Sequence, residues 1–123
     1  MDWTKMRDGI IKRGDIFWAD LNPTKGHEQG NIRPVLVVQN DISNRYSPTI
    51  IVVPITSRQK TKTHITNVLI TSNESGLKEN SLILCNQIRT IDKSRIIKIV
   101  SSLDRETMKQ VDLAIKRSLD LIY

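Results

Sequence analysis

The chain has 123 residues, a length typical of one domain rather than two. Hydrophobic residues make up 38% and charged residues 26%, as in a soluble globular protein, and no apolar run approaches the roughly 20 residues that span a bilayer. One cysteine, Cys85, excludes an intrachain disulfide, and two histidines far apart argue against a zinc site. The net charge of +6 favours a polyanionic partner such as nucleic acid, although a merely soluble basic protein would carry the same charge.

We expect a single domain over residues 1–123, with residues 1–12 as an N-terminal extension. The extension is mixed in charge and lacks the apolar core of a signal peptide. The sequence therefore predicts a cytoplasmic protein without membrane association.

The predicted elements are mostly short strands, because apolar and β-branched runs alternate with polar loops. Six segments fit this description: residues 14–21, 33–38, 49–56, 68–71, 81–91 and 95–100. Pro54 in the third segment implies an edge, a bulge or the end of that strand. Phe17 and Trp18 must point to opposite faces of the first strand, one toward the core and the other toward a partner. Short strands of this number predict a small, highly curved sheet or barrel.

Only the C-terminal stretch predicts a helix. Asp104 suits the N-cap position, with Leu103 and Met108 placed as a hydrophobic staple. From Met108 onward, apolar side chains recur at three- and four-residue steps, at Val111, Ile115, Leu119 and Ile122. We expect this stripe to pack across the barrel or at a subunit contact.

Three loops, at residues 22–32, 57–66 and 72–80, are the expected places for binding residues on so small a fold. The chain lacks a phosphate-binding loop, a dinucleotide-binding turn, an HExxH zinc motif and a GxSxG elbow. An enzyme built on this sequence is therefore expected to work without a metal or organic cofactor.

An ordered set of stretches carries a family resemblance: RGDIFWADLNPTKGHEQGNIRPVLVVQND at residues 13–41, SPTIIVVPITS at 47–57, QIRTID at 87–92, and the final helix. This set resembles the MazF/PemK/Kid toxins over nearly the whole chain from Arg13. The resemblance implies a mainly β fold with α, an SH3-like barrel of the CcdB/MazF type with a C-terminal helix, assembled as a homodimer. It also implies the toxin of a type II toxin-antitoxin system. Such toxins are metal-independent endoribonucleases that cut single-stranded RNA, chiefly mRNA, at short specific sequences, and a MazE-like antitoxin occupies their RNA groove.

The same resemblance implies three catalytic residues, since the family's arginine and threonine fall on Arg33 and Thr56 and its loop glutamate on Glu28. A planar guanidinium suits Arg33 to grip two phosphoryl oxygens, and Thr56 can donate a hydrogen bond or orient the 2′-OH. A guanidinium is a poor base, since its pKa lies above about 12. Glu28 is therefore the hypothesised base or the group that orients Arg33, and His27 is another candidate base. Alternatively, Glu28 forms only a structural salt bridge with Arg33.

RNA contacts are expected at His27, Gln29, Asn40, Ser57, Arg58, Asn86 and Gln87. Asn86 and Gln87 could read base edges, whereas His27 could equally be incidental. Kid-like members carry an arginine and an aspartate where this chain has Leu84 and Asn86, so their acid–base assignment cannot be transferred.

A different class of function also fits the composition, a non-catalytic barrel that binds nucleic acid or, like the CcdB toxins, gyrase. CcdB-like proteins lack the GHEQG and RPVLVVQN pairing found at residues 26–30 and 33–40, which argues against gyrase binding.

Overall fold

A computed structural model describes residues 10–23, 25–28, 31–57 and 64–121. The strands are β1 (Asp15–Asp20), β2 (Ile32–Val37), β3 (Thr49–Thr56), β4 (Asn67–Ile70), β5 (Ser81–Leu84), β6 (Arg89–Asp92) and β7 (Ile96–Ser102). The helices are α1 (Asp41–Tyr46), α2 (Ser72–Ser75) and α3 (Arg105–Ser118), and a 3-10 turn covers Lys93–Arg95. None of the described helices is long and apolar enough to cross a membrane.

The strands form one seven-stranded antiparallel sheet in the order β4-β5-β3-β2-β1-β7, with β6 paired to β3 beside this path. The prediction of a mainly β fold with a C-terminal helix is confirmed. Within the described residues β4 and β7 remain the two ends of the path, so the sheet is open and "barrel" describes only its general shape. Two register shifts between β1 and β7 mark bulges, which bend a strand and increase its twist.

The long strand predicted at residues 81–91 is wrong. It is two strands, β5 and β6, separated by a turn in which the Gln87 N–H donates to the Leu84 carbonyl over 3.0 Å. The strand predictions at 14–21, 33–38, 49–56, 68–71 and 95–100 each correspond to one observed strand, with ends shifted by no more than two residues.

Pro54 lies inside β3, opposite Val35 of β2, and not at an edge or an end. On its other side β3 pairs with β6 as far as Val52 and with β5 from Ile55 onward. The N–H that proline lacks therefore falls where β3 changes partner, which is how a central strand tolerates it.

Both faces of the central strands are buried. One core cluster lies under α3 and includes Ile16, Leu36 and Ile55, while the other lies on the opposite face and includes Phe17 and Val35. The alternation of side chains along each strand sorts neighbours into these two clusters. Of the adjacent aromatic residues Phe17 and Trp18, one was predicted to be in the core. Phe17 is buried, and Trp18, on the other face, is half-buried.

The start of α3 matches its prediction. The Asp104 carboxylate accepts from the Thr107 N–H over 2.8 Å, and Leu103 and Met108 share the core cluster under the helix. The predicted stripe is buried at its beginning, at Met108 and Val111, but Leu119 is 53% exposed just beyond the last helical turn. Ile122 lies outside the described residues.

Arg13, the first residue of the RGD stretch, links three parts of the fold. Its Nε donates to the Val38 carbonyl over 2.9 Å, its Nη2 to the Asp112 carboxylate on α3, and its backbone N–H to the Asp41 carboxylate over 2.7 Å. The arginine therefore fastens β2, α1 and α3 to the start of β1.

Gly14 and Asp15 continue this link toward β7. Gly14 has φ of 96°, a backbone conformation that favours glycine, and its carbonyl accepts from the Leu103 N–H over 2.9 Å. Asp15 is 1% exposed, and its carboxylate accepts from the Lys12 N–H over 2.9 Å and from the Ser102 hydroxyl over 2.6 Å. The RGD stretch is thus a structural clamp at the end of β1 far from the β1–β2 loop.

Candidate active site

Arg33 and Thr56 lie on neighbouring strands, β2 and β3. The ladder pairs Val35 with Pro54, and continuing its register by two residues places Arg33 opposite Thr56. Residues directly opposite each other in an antiparallel pair have Cα atoms about 4.5–5.5 Å apart. The two predicted catalytic residues therefore lie at the adjacent ends of β2 and β3, two residues beyond the last pair of the β2–β3 ladder.

The two side chains share one face of the sheet. Side chains two or four residues apart on a strand point to the same face, so Arg33 points the same way as Val35, and Thr56 the same way as Val52. Val35 and Val52 both belong to the core cluster opposite α3. Arg33 is half-buried and Thr56 is 5% exposed. An apolar core behind them lowers the local dielectric, which strengthens any interaction of the guanidinium with an anion.

The β1–β2 loop brings Glu28 and His27 to the same end of the sheet. The loop leaves β1 after Asp20 and enters β2 at Ile32, one residue before Arg33. Both Glu28 and His27 are exposed, and the Glu28 N–H donates to the Lys25 carbonyl over 3.2 Å. Gln29 lies outside the described residues.

The turn between β5 and β6 carries Asn86, which is exposed, and Gln87, which is half-buried. The turn connects β5, in which Leu82 pairs with Thr56, to β6, in which Arg89 pairs with Val52. This turn therefore borders the proposed reaction centre.

The remaining predicted RNA contacts are divided. Ser57 is exposed and directly follows Thr56, whereas Arg58 lies outside the described residues. Asn40 lies beyond the opposite end of β2 from Arg33, and its side chain caps α1 by accepting from the Ser43 N–H over 2.8 Å. The structure thus groups Ser57 with the site and leaves Asn40 away from it, in a structural role.

A groove of about 700 Å³ runs beside Arg33 on the other face of the sheet. Its lining is largely apolar, with three cations and one acid: Trp18, Ile32, Arg33, Pro34, Ile55, Ser57, Gly76, Leu77, Lys78, Glu79, Ser81, Lys98 and Val100. Sequence reasoning missed Lys78 and Lys98, since only the fold brings the α2–β5 loop and β7 next to β2. The single signal available in the sequence was the opposite direction of Trp18 relative to Phe17.

Among the described residues, no group of three or more His, Cys, Asp and Glu side chains is placed to hold a metal ion. Of the site's polar residues, Arg33, Thr56 and Gln87 each make interactions within the protein.

The sequence profile of a family described as PemK-like, MazF-like toxin of type II toxin-antitoxin system matches residues 12–119. The chain belongs to this toxin family. A member of known activity, Endoribonuclease EndoA of Bacillus subtilis strain 168, is 50% identical over 113 residues, which are 92% of this chain and 97% of that protein.

Solved structures of the PemK/MazF family share the fold. MazF from Deinococcus radiodurans has a TM-score of 0.78 at 23% identity, covering 90% of this chain and 97% of that one. An endoribonuclease in complex with its cognate antitoxin, from a mycobacterial species, has a TM-score of 0.76 at 20% identity, covering 92% and 98%. The mainly β, MazF-type fold with a C-terminal helix is confirmed by these similarities.

Proposed function

We propose that this toxin is a metal-independent, sequence-specific endoribonuclease that cuts single-stranded RNA in the cytoplasm, with Arg33 and Thr56 at the reaction centre. The observation that supports the proposal is the register of β2 and β3, which aligns these two residues when it is continued two residues beyond Val35 and Pro54. The 50% identity to an endoribonuclease over 92% of the chain supports the same activity.

Arg33 supplies the charge that the reaction needs. When the 2′-oxygen attacks the adjacent phosphorus, negative charge grows on the non-bridging phosphoryl oxygens. A guanidinium can donate two parallel hydrogen bonds to those oxygens, and preorganised donors of this kind are often the largest catalytic contribution. Because Arg33 is half-buried beside apolar side chains, its donors lose less strength to competing water.

Two proton transfers complete the step. The 2′-OH gives its proton to a base as the new P–O bond forms, and the 5′-oxygen takes a proton from water as its bond to phosphorus breaks. The products are a 2′,3′-cyclic phosphate and a 5′-hydroxyl. We assign the base to Glu28, on the loop that enters β2 next to Arg33, and we assign Thr56 the role of holding a phosphoryl oxygen or the 2′-OH. Since DNA lacks the 2′-OH, this chemistry selects RNA.

Base recognition falls to the polar residues around this centre. Asn86 and Gln87 lie on one turn and Ser57 next to Thr56, so their side chains can reach nucleotides flanking the cut. The other proposed RNA contacts are His27 and two residues outside the described part of the chain, Gln29 and Arg58. Hydrogen bonding to base edges suits this set, because aromatic residues are only 4% of the chain.

The groove beside Arg33 is our proposed seat for a segment of a MazE-like antitoxin. Its apolar lining with Lys78 and Lys98 matches an acidic, partly apolar peptide, which would block RNA at the end of the sheet that carries Arg33. We further propose that the toxin acts as a homodimer, in which exposed apolar side chains such as Leu113 become covered.

The test is incubation of a long single-stranded RNA with the purified toxin in excess chelator, followed by end-group analysis. We expect discrete fragments with 2′,3′-cyclic phosphate and 5′-hydroxyl ends. Arg33→Ala should slow cleavage by at least about 10³-fold, because both donors to the phosphoryl group are lost. Arg117→Ala, which removes the same charge from an exposed position on α3, is the matched control and should cut normally.

Two results would contradict the proposal. A strict need for a divalent ion would remove the proposed chemistry, even if RNA is cut. Intact RNA with folded, antitoxin-free protein would favour a barrel that only binds nucleic acid, and binding would then survive Arg33→Ala with a weaker salt dependence.

A further inference from the structure

The neck of the β1–β2 loop is closed by side chains as well as backbone. The Leu21 N–H donates to the Asn31 carbonyl over 3.0 Å, and the Asn31 N–H donates to the Asn22 side-chain oxygen over 2.9 Å. The Asn22 N–H in turn donates to the Asp20 carboxylate over 3.0 Å. Asn31 has φ of 63°, a left-handed conformation that asparagine tolerates better than most residues.

Arg95 reaches this neck from another part of the chain. Its Nη1 donates to the Asp20 carbonyl over 3.1 Å and also to the Asn22 carbonyl. One guanidinium nitrogen therefore bridges the last residue of β1 and the second residue of the loop. Both acceptors are backbone carbonyls, so the contact fixes the path of the chain rather than one side chain.

The 3-10 turn that carries Arg95 is itself anchored. Asp92 caps it by accepting from the Ser94 N–H over 2.8 Å, and hydrogen bonds from Ser94 hold the Asp92 pKa below its usual value. Lys93 donates from its backbone N–H to the Pro48 carbonyl over 3.0 Å and from Nζ to the Asn44 carbonyl over 2.6 Å. Arg95 thus extends from a fixed base.

The strand register shows how close this contact is to the reaction centre. Ala19 of β1 pairs with Arg33 on one side and with Ile96 on the other. Arg95 and Asp20 are each one residue away, along the chain, from a member of this set of paired residues. With neighbouring strands about 4.8 Å apart, the backbone of Arg95 lies roughly 10 Å from that of Arg33.

We propose that Arg95 is a positioning residue for RNA cleavage, which sets the β1–β2 loop so that Glu28 and His27 face Arg33. This inference rests on the proposed function, because it assigns those loop residues to the RNA. Arg95 does not contact the reacting atoms. It acts through its hydrogen bonds to the two backbone carbonyls at the neck of the loop.

The test compares Arg95→Met and Arg95→Lys with Arg105→Met. Arg105→Met is the matched control, since it removes the same charge at an exposed site beyond the far end of β7. Amide hydrogen exchange without RNA should quicken at Leu21 and Asn31 by about tenfold or more in Arg95→Met, and remain unchanged at Phe17. The kcat for RNA cleavage should fall by about tenfold with little change in KM, because binding elsewhere on the RNA is intact.

Arg95→Lys keeps the charge and one donor nitrogen on a shorter side chain and should give intermediate values for both measurements, whereas Arg105→Met should match the wild type. Unchanged exchange at Leu21 and Asn31 in Arg95→Met would overturn the role at the neck. Faster exchange with normal kcat would overturn the role in cleavage. A wild-type toxin that cuts no RNA would refute the proposed function instead, and the exchange measurement would still decide whether Arg95 holds the loop.

Discussion

Replacing Asp15 by alanine should destabilise the toxin strongly while leaving its chemistry intact. The carboxylate is 1% exposed and accepts from the Lys12 N–H and the Ser102 hydroxyl. A hydrogen bond to a charged group contributes about 1.5–3 kcal/mol, and water can partly replace the carboxylate at the exposed Lys12 and Ser102, so losing both bonds predicts a loss of about 2–4 kcal/mol in unfolding free energy. For a domain of this length, the melting temperature should fall by roughly 10 °C.

Two further variants divide this effect. Asp15→Asn keeps one acceptor, and its amide can donate to the Ser102 hydroxyl, so the loss should be only about 1 kcal/mol. Ser102→Ala removes one of the two contacts and should also cost about 1 kcal/mol. In the double variant with Asp15→Ala, the two losses should fall short of additivity by about 1 kcal/mol, because they remove the same bond.

The assay is urea denaturation followed by tryptophan fluorescence at one fixed protein concentration, since dimerisation would make stability depend on concentration. RNA cleavage well below the transition should change by no more than about twofold, because Ala19, the partner of Arg33, is roughly 13 Å along β1 from Asp15. An Asp15→Ala protein within about 0.5 kcal/mol of wild type would refute the reasoning. So would full additivity with Ser102→Ala.

Two other predictions concern α3 and its surroundings. Hydrogen bonds from the Thr107 N–H and hydroxyl hold the Asp104 pKa below its usual value, so the stability that this cap adds is present above about pH 4 and is lost as pH falls through the lowered pKa. Asp104→Asn should therefore show a flatter fall of melting temperature on acidification, and parallel curves for the two proteins would contradict this. Burial, with a smaller contribution from Asp112, raises the pKa of Cys85 to about 12. A thiol reagent at about pH 8 should therefore label the native protein only as fast as the protein unfolds locally or globally, and rapid stoichiometric labelling would contradict this.

The strands and α3 were predictable because their apolar side chains repeat with the period of the structure they form. The break between β5 and β6 was not, since the apolar residues of LILCNQIRTI run through it without Gly or Pro. What separates the strands is a turn in which the Gln87 N–H donates to the Leu84 carbonyl over 3.0 Å, after which β6 pairs with the first half of β3 rather than with its end. Helix α1 was missed because six residues are too few to show an apolar stripe.

The predicted site divides in the same way. The placement of Arg33 and Thr56 came from the family resemblance, and strand pairing provides a physical reason for it. The contacts of Arg95 with the neck, and of Lys78 and Lys98 with the groove, join residues far apart in sequence. No local pattern predicts such contacts, because they depend on how β7 and the α2–β5 loop pack against β1 and β2.

The two-sided core has a consequence for how this toxin could change its target. Arg33 and Thr56 belong to strands whose neighbours are buried on both faces, so their separation cannot vary without disturbing a core. The residues proposed to read bases lie instead on connections outside the sheet, at 22–31, 57–66 and 85–88. Loops tolerate changes of length and sequence far better than packed strands. Exchanging these connections between relatives should therefore alter which RNA is cut while the cutting chemistry stays the same, so that one scaffold supports many specificities.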